Sequence, residues 1–164
     1  MSRHLIHIMT KKLTLPKRSG NKPETTDRLP HSQLTQHGPD DIIVMLHEWC
    51  FSLPDVCNEP SGISVPGARA LVMCDGTNCN HKAMMINREF AHIHPKPDNG
   101  SMHVMLPQTD AYEVTSKGWG EDHYLVTQGH WPPGLIMVFS PRNTDDLEIV
   151  KSIVSRSYEY AIGS

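Results

Sequence analysis

No apolar run in this chain approaches the ~20 residues that a bilayer-spanning helix needs, so no membrane segment is read from it. The opening residues, MSRHLIHIM, have too short an apolar stretch and no small-residue cleavage site, which argues against a signal peptide. A basic excess is missing too. The formal charge of -3 and pI near 6.4 exclude the global footprint of a nucleic-acid binder. Lys11-Lys12 and Lys17-Arg18 are too sparse to make a local one. Cysteine is scarce: Cys50, Cys57, Cys74 and Cys79 are too few for a disulfide framework at 164 residues. The expectation is a reduced, cytoplasmic protein. Cys74-x4-Cys79-x-His81 lacks the spacing of a zinc knuckle and has no second Cys pair, so it reads as a loop holding two thiols near each other. There are no internal repeats and no low-complexity tract.

What is present is the composition of one ordinary globular domain, 38% hydrophobic with a mean hydropathy of -0.41. Residues 1–38 are polar, proline-containing and aperiodic. They predict an extended, partly disordered arm whose first residues fray, with Leu15, Leu29 and Leu34 able to pin it to a core. Residues 39–164 form the domain proper. Pro39 to Leu53 spaces Ile42, Ile43, Met45, Leu46, Trp49, Cys50 and Leu53 as an amphipathic helix. After a loop over 54–61, ISVPGARALVMC predicts two strands broken at Pro66-Gly67. Arg88 reads as a surface charge. Asp110 to Lys117 predicts a short helix capped by Thr109 or Asp110 and stopped by Gly118. Leu135 to Phe139 predicts a buried strand. Asn143 caps a final helix with a stripe of Leu147, Val150, Ile153, Val154, Ser157 and Ala161. The expected fold class is α+β: an antiparallel-rich central sheet flanked by an N-terminal, a short middle and a C-terminal helix.

The functional signal is histidine. Eleven are present, and residues 88–131 concentrate them. Arg88 to Pro95 and Met102 to Leu106 read as strands joined by a turn containing Asp-Asn-Gly. Strand alternation puts Phe90, His92 and His94 on one face, with Ala91, Ile93 and Glu89 on the other. In the returning strand, Met102, Val104 and Leu106 are the apolar set, leaving His103 and Met105 opposite. If the apolar sets share the core, His92, His94 and His103 share a face, and His123 follows the Gly118-Trp119-Gly120 segment. A single histidine on a strand is more often structural than functional; three at matched parity carry more weight.

REFAHIHP, SMHVMLP, KGWGEDHYL and VFSPRNTDDLEIVKSIVSRSYEYA, in that order, resemble the fungal luciferase and its bacterial relatives, the luciferase-like domain proteins. The N-terminal half, through PSGISVPGARALVM, resembles the bacterial branch. The resemblance implies oxidation of a 3-hydroxy-pyrone luciferin of the 3-hydroxyhispidin type by molecular oxygen, without ATP. It carries over His92, His94, His103, Trp119 and His123 as positional matches without transferred roles. No counterpart of the fungal enzyme's membrane-anchoring N-terminal segment is expected from these residues, and Cys74, Cys79 and His81 stand outside the shared motifs.

Three functions follow. The first is an oxygenase-type oxidoreductase acting on an enolisable ring. His92 or His94 would be its base, His103 and His123 the partners, and Phe90, Met105 and Trp119 the apolar, substrate-binding wall. The second is a metalloprotein, oxygenase or hydrolase, with Fe, Cu, Zn or Ni held by His92, His94 and His103 and with His123 as a fourth ligand. The third is a non-catalytic module that binds a small molecule. A small molecule is the expected partner in each, with neither nucleic acid nor membrane involved.

Overall fold

A computed structural model describes residues 12–163; the expected fraying of the first residues lies outside them. Among the described residues, six strands form one antiparallel sheet, β1 (Val56–Pro60), β2 (Arg69–Met73), β3 (Glu89–Ile93), β4 (Met102–Met105), β5 (Gly120–Asp122) and β6 (Leu135–Val138). Their spatial order is β1-β2-β3-β4-β6-β5. The helices are α1 (Asp40–Cys50), α2 (Gln108–Ser116), the single-turn α3 (Tyr124–Thr127) and α4 (Thr144–Ala161). The fold is α+β, as the element pattern predicted.

The core lies between one face of the sheet and the helices α1 and α4. Ile42, Leu46 and Cys50 of α1 meet Leu147, Val150, Ile153, Val154 and Ala161 of α4 over Leu71, Ala91, Ile93, Met102, Val104, Ile136 and Val138. The helical spacing of these apolar residues is what builds the layer. Asn143 caps α4 by accepting the Asp146 N–H at 2.8 Å. In contrast, α2 starts after Pro107 without a side-chain cap. Asp110, expected there, is turned to the Leu13 N–H at 3.3 Å and to Arg156 at 2.7 Å. Met45 is exposed on α1.

The strand expectations needed two corrections. The first strand of the hairpin is β1, inside the stretch read as a loop, and residues 61–68 before β2 form the connection. The second correction concerns cysteine. Cys57 on β1 and Cys74, the residue after β2, form a disulfide with Cα atoms 5.3 Å apart, while Cys50 and Cys79 are free. The expectation of reduced thiols fails because β1 was missed, and the cysteine argument for a reducing compartment falls with it. Arg88 is not a bare surface charge, since its guanidinium donates to the carbonyls of Met73, Cys74 and Thr77 and closes the adjoining turn. Closing a loop with a sequence separation of 17 constrains the unfolded chain by about 3 kcal/mol. Cys57→Ser is therefore expected to lower the melting temperature by roughly 6–12 °C, and added reductant should do the same to the parent chain but not to the variant.

The arm is ordered where it is described. Leu13 and Leu15 enter the core, whereas Leu29 and Leu34 are each 53% exposed. Trp119 Nε1 donates to the Pro16 carbonyl at 2.6 Å and Lys117 Nζ to that of Leu15 at 3.0 Å, tying the arm to the end of α2. Gly118 stops α2 in the left-handed region, at φ 82°. Gly120 is needed for close approach, because a Cβ there would lie 2.3 Å from the Met137 carbonyl oxygen of β6. Further along, Thr25 pairs with Gln33 in a small loop that crosses the sheet face opposite the helices.

Candidate functional site

That opposite face carries one row of paired positions across five strands. Ala70 pairs with His92, His92 with His103, His103 with Met137, and Met137 with Glu121. Register alone therefore sets His92 and His103 side by side. His94 joins them just past β3, where its backbone N–H reaches the Ser101 carbonyl at 2.9 Å. His123 comes from the N-cap of α3, and the arm adds His31. All five rings are buried. Ring centroids are 4.9 Å apart for His92–His103, 4.4 Å for His94–His103, 4.3 Å for His103–His123 and 5.1 Å for His31–His123.

These rings form the floor of a cavity of about 410 Å³. Its walls are apolar: Leu29 and Pro30 from the arm, Ile63 and Val65 from the 61–68 connection, and Met85, Leu125, Trp131 and Leu135 from elsewhere. Among the described residues, histidine is the only ionisable type in the lining. The expected wall residues are placed differently. Phe90 is fully buried in the helix-side core, and Trp119 is buried there too. Met105 packs with Met85 and Leu135, behind the lining rather than in it.

Phe90 leaves the cavity face because of a β-bulge. The β2–β3 register slips between Leu71 and Val72, so that Leu71 opposes Ala91 but Val72 opposes Glu89. The extra residue reverses the side-chain alternation before Ala91. Phe90 thereby turns into the core, and Glu89, expected on the far face, turns to the histidines. Its Oε2 lies 2.8 Å from His92 Nδ1 and accepts from Ser61 Oγ at 2.7 Å, while Oε1 accepts the Gly62 N–H at 2.9 Å.

Hydrogen bonds fix where each imidazole keeps its proton. His92 Nδ1–H donates to Glu89, leaving the Nε2 lone pair 3.0 Å from His103 Nδ1. His94 Nδ1 lies 3.0 Å from Asp98 Oδ2 and 2.8 Å from Ser101 Oγ, and the serine hydroxyl itself donates to Asp98 at 2.8 Å. His94 is therefore protonated on Nδ1, with its Nε2 lone pair free. His123 is the reverse: its Nδ1 accepts the Leu125 N–H at 3.0 Å, so Nε2 carries the proton. Both nitrogens of His31 are occupied, Nδ1 by the Tyr124 N–H at 3.2 Å and Nε2 by Glu121 Oε1 at 2.8 Å. His103 Nε2 is buried and without a hydrogen-bond partner among the described residues.

Burial favours the neutral form of His92, His103 and His123. It pushes His103 well below the usual imidazole range, with the four neighbouring histidines adding to the effect. Burial also lowers His92, against the opposing pull of Glu89. His123 is lowered to about 4, first by burial and then by His31, His92 and His94. Burial raises the Glu89 carboxyl, but the bonds from His92, Gly62 and Ser61 outweigh it and leave it low. A histidine depressed in the fold takes its proton more readily when unfolded. Its stabilisation is complete above pH 6.5 and is lost as pH falls from there to about 4. For His123 this amounts to roughly 2–3 kcal/mol. Urea melts of chelator-treated protein should show a loss between those pH values, and His123→Gln should reduce it, with His92 and His103 supplying the remainder.

Two triplets bring ring nitrogens within 4.8 Å of one another, His92/His94/His103 and His31/His103/His123. The expected cluster is thus assembled in full. Four participants were not anticipated. Glu89 was hidden by the bulge, Asp98 and Ser101 lay in a turn read only for its shape, and His31 sat in an arm without periodicity.

Residues 87–157 match the Luciferase domain family model. The chain is 37% identical over 75 residues to a luciferase of Armillaria mellea and equally to one of Armillaria gallica, and 36% identical to one of Neonothopanus nambi. Each match covers 44% of this chain and 28% of the relative. The chain therefore spans about a quarter of the length of those luciferases. They are fungal, whereas the N-terminal half had suggested a bacterial branch. No solved structure matches. Glu89, His92, His94, Asp98, Ser101, His103 and His123 fall inside the matched segment; His31 and most of the apolar wall fall outside it.

Proposed function

We propose, from the match of residues 87–157 to the Luciferase domain model, a small-molecule oxidoreductase whose cavity binds an enolisable ring compound and oxidises it with molecular oxygen. One observation carries this reading: an apolar cavity whose lining holds both an imidazole lone pair, on His94, and an imidazole N–H, on His123. A ring hydroxyl beside a carbonyl presents the complementary edge. The hydroxyl donates to His94 Nε2, and the oxygen next to it accepts from His123 Nε2–H. As the hydroxyl proton passes to the imidazole, Asp98 on the far nitrogen stabilises the charge that develops. The enolate left behind is electron-rich, and its electron pair forms the new carbon–oxygen bond to oxygen. The His123 N–H stabilises negative charge developing on oxygen.

The walls define the rest of the substrate. Among the described residues, no lysine or arginine lines the cavity, so carboxylate or phosphate groups find no counterion among them, and burying such groups is costly. A flat, uncharged ring of moderate size fits about 410 Å³. Oxygen-electrode measurements with a 3-hydroxy-pyrone test the reading. Uptake is expected with the free hydroxyl and not with its methyl ether. Equal rates for the two, or no uptake with any hydroxypyrone, would sink it.

A further inference from the structure

The hydrogen bonds that fix the imidazole protons also separate the two histidine triplets. We propose that His92, His94 and His103 hold a divalent transition-metal ion at the floor of the cavity, and that His31 and His123 stay outside its coordination sphere. A metal-bound imidazole needs a lone pair on the ligating nitrogen and usually donates its other N–H to a carboxylate or carbonyl, which fixes the ring's orientation. His92 and His94 both follow this pattern. Their Nδ1–H groups are held by Glu89 at 2.8 Å and Asp98 at 3.0 Å, and their Nε2 atoms remain to ligate. Both carboxylates are buried and fixed by further bonds, Glu89 from Ser61 and Gly62, Asp98 from Gln33 and Ser101.

His103 supplies the third donor. Its Nδ1 lies 3.0 Å from His92 Nε2. That is the edge expected between two nitrogens each about 2.1 Å from a shared ion and at right angles across it. In the ion-free chain one proton bridges this pair. With an ion bound, the single proton of neutral His103 moves from Nδ1 to Nε2, which frees the Nδ1 lone pair to ligate. The Nε2 atom is buried, unpartnered among the described residues, and part of a ring that lines the cavity. The orphaned atom so gains a use, as a second N–H beside the open coordination positions. Three neutral imidazoles without a thiolate suit iron(II), cobalt(II), nickel(II), copper(II) or zinc.

The other triplet fails on the same count. Both nitrogens of His31 are committed to Tyr124 and Glu121. His123 spends its lone pair on the Leu125 N–H and offers only a proton to the cavity. Proximity alone does not tell the two triplets apart; the direction of the backbone bonds does.

The ion and the substrate hydroxyl compete for the one lone pair on His94 Nε2, so the ion-bound chain is not the form that takes the substrate proton. The test needs no substrate and stands or falls separately from the oxidation reading. Untagged protein is stripped with a chelator, dialysed and titrated with cobalt(II), read by visible absorption and by metal analysis. One cobalt per chain is expected. His92→Ala and His94→Ala should lose it at least 100-fold in affinity, and Glu89→Gln and Asp98→Asn should lose roughly 10–100-fold. His31→Ala and His123→Ala should bind within about threefold of the parent. The carboxylate variants keep shape and volume, so the proposal stays testable if an alanine variant misfolds by circular dichroism. Absence of stoichiometric binding by the folded parent would overturn it. So would binding that survives in folded His94→Ala while disappearing in His31→Ala and His123→Ala.

Discussion

His94→Ala is expected to lower oxygen-dependent turnover of a hydroxypyrone by about 100-fold or more, the usual scale for a positioned proton acceptor. The same variant should stay folded. His94 follows the end of β3, and Asp98 retains the Gln33 N–H and the Ser101 hydroxyl as partners after the imidazole is gone. Stopped-time oxygen consumption and a thermal melt on the same preparation separate the two effects. If turnover persists while hydroxypyrone affinity is unchanged, the cavity is a binding module and His94 is structural. Asp98→Asn should fall between the parent and His94→Ala, because it alters the partner of Nδ1 and leaves Nε2 in place.

The second large effect is on stability. Phe90→Ala should cost about 3–5 kcal/mol, with no specific change in ligand recognition by whatever folded protein remains. Phe90 is fully buried against α4, with its ring centroid 6.4 Å from that of Tyr158, and it does not line the cavity. Ile63→Ala is the counterpart: Ile63 is 46% exposed at the cavity rim, so its loss should weaken apolar ligand binding while barely shifting the melt. Paired denaturant melts and ligand titrations of the two variants decide the matter. A small stability loss with Phe90→Ala and a large affinity loss would put the ring back in the cavity wall.

The contrast between these residues shows where local reading of the chain stops. Alternation from Ala91 through Ile93, and from Met102 through Leu106, was enough to predict a shared face for His92 and His103, since strand parity is a property of consecutive residues. A bulge is different. It arises from how β3 docks on β2, and nothing in the string REFAHIHP announces the extra residue. Phe90 and Glu89 were therefore exchanged between faces. The α4 stripe was legible because 3.6-residue periodicity and an Asn143 cap are both local signals. The disulfide was not, because Cys57 and Cys74 meet only once β1 pairs with β2.

His31 marks a further limit. It is one of eleven histidines, in an arm whose sequence has no period, and its place is set by contacts with Glu121 and Tyr124, about ninety residues away. The arm also brings Leu29 and Pro30 to the cavity. Much of the apolar wall thus lies outside the segment shared with the luciferases, while the histidine floor lies mostly inside it.

Both proposals depend on which nitrogen of each ring carries its proton, and that can be read directly. Long-range proton–nitrogen correlation spectra of the ion-free, nitrogen-15-labelled chain at neutral pH distinguish the two neutral imidazole forms. His92 and His94 should appear protonated on Nδ1, and His31 and His123 on Nε2. A spectrum with His94 protonated on Nε2, or His123 on Nδ1, would contradict the account at its base, removing the acceptor from the cavity floor in the first case and the donor in the second.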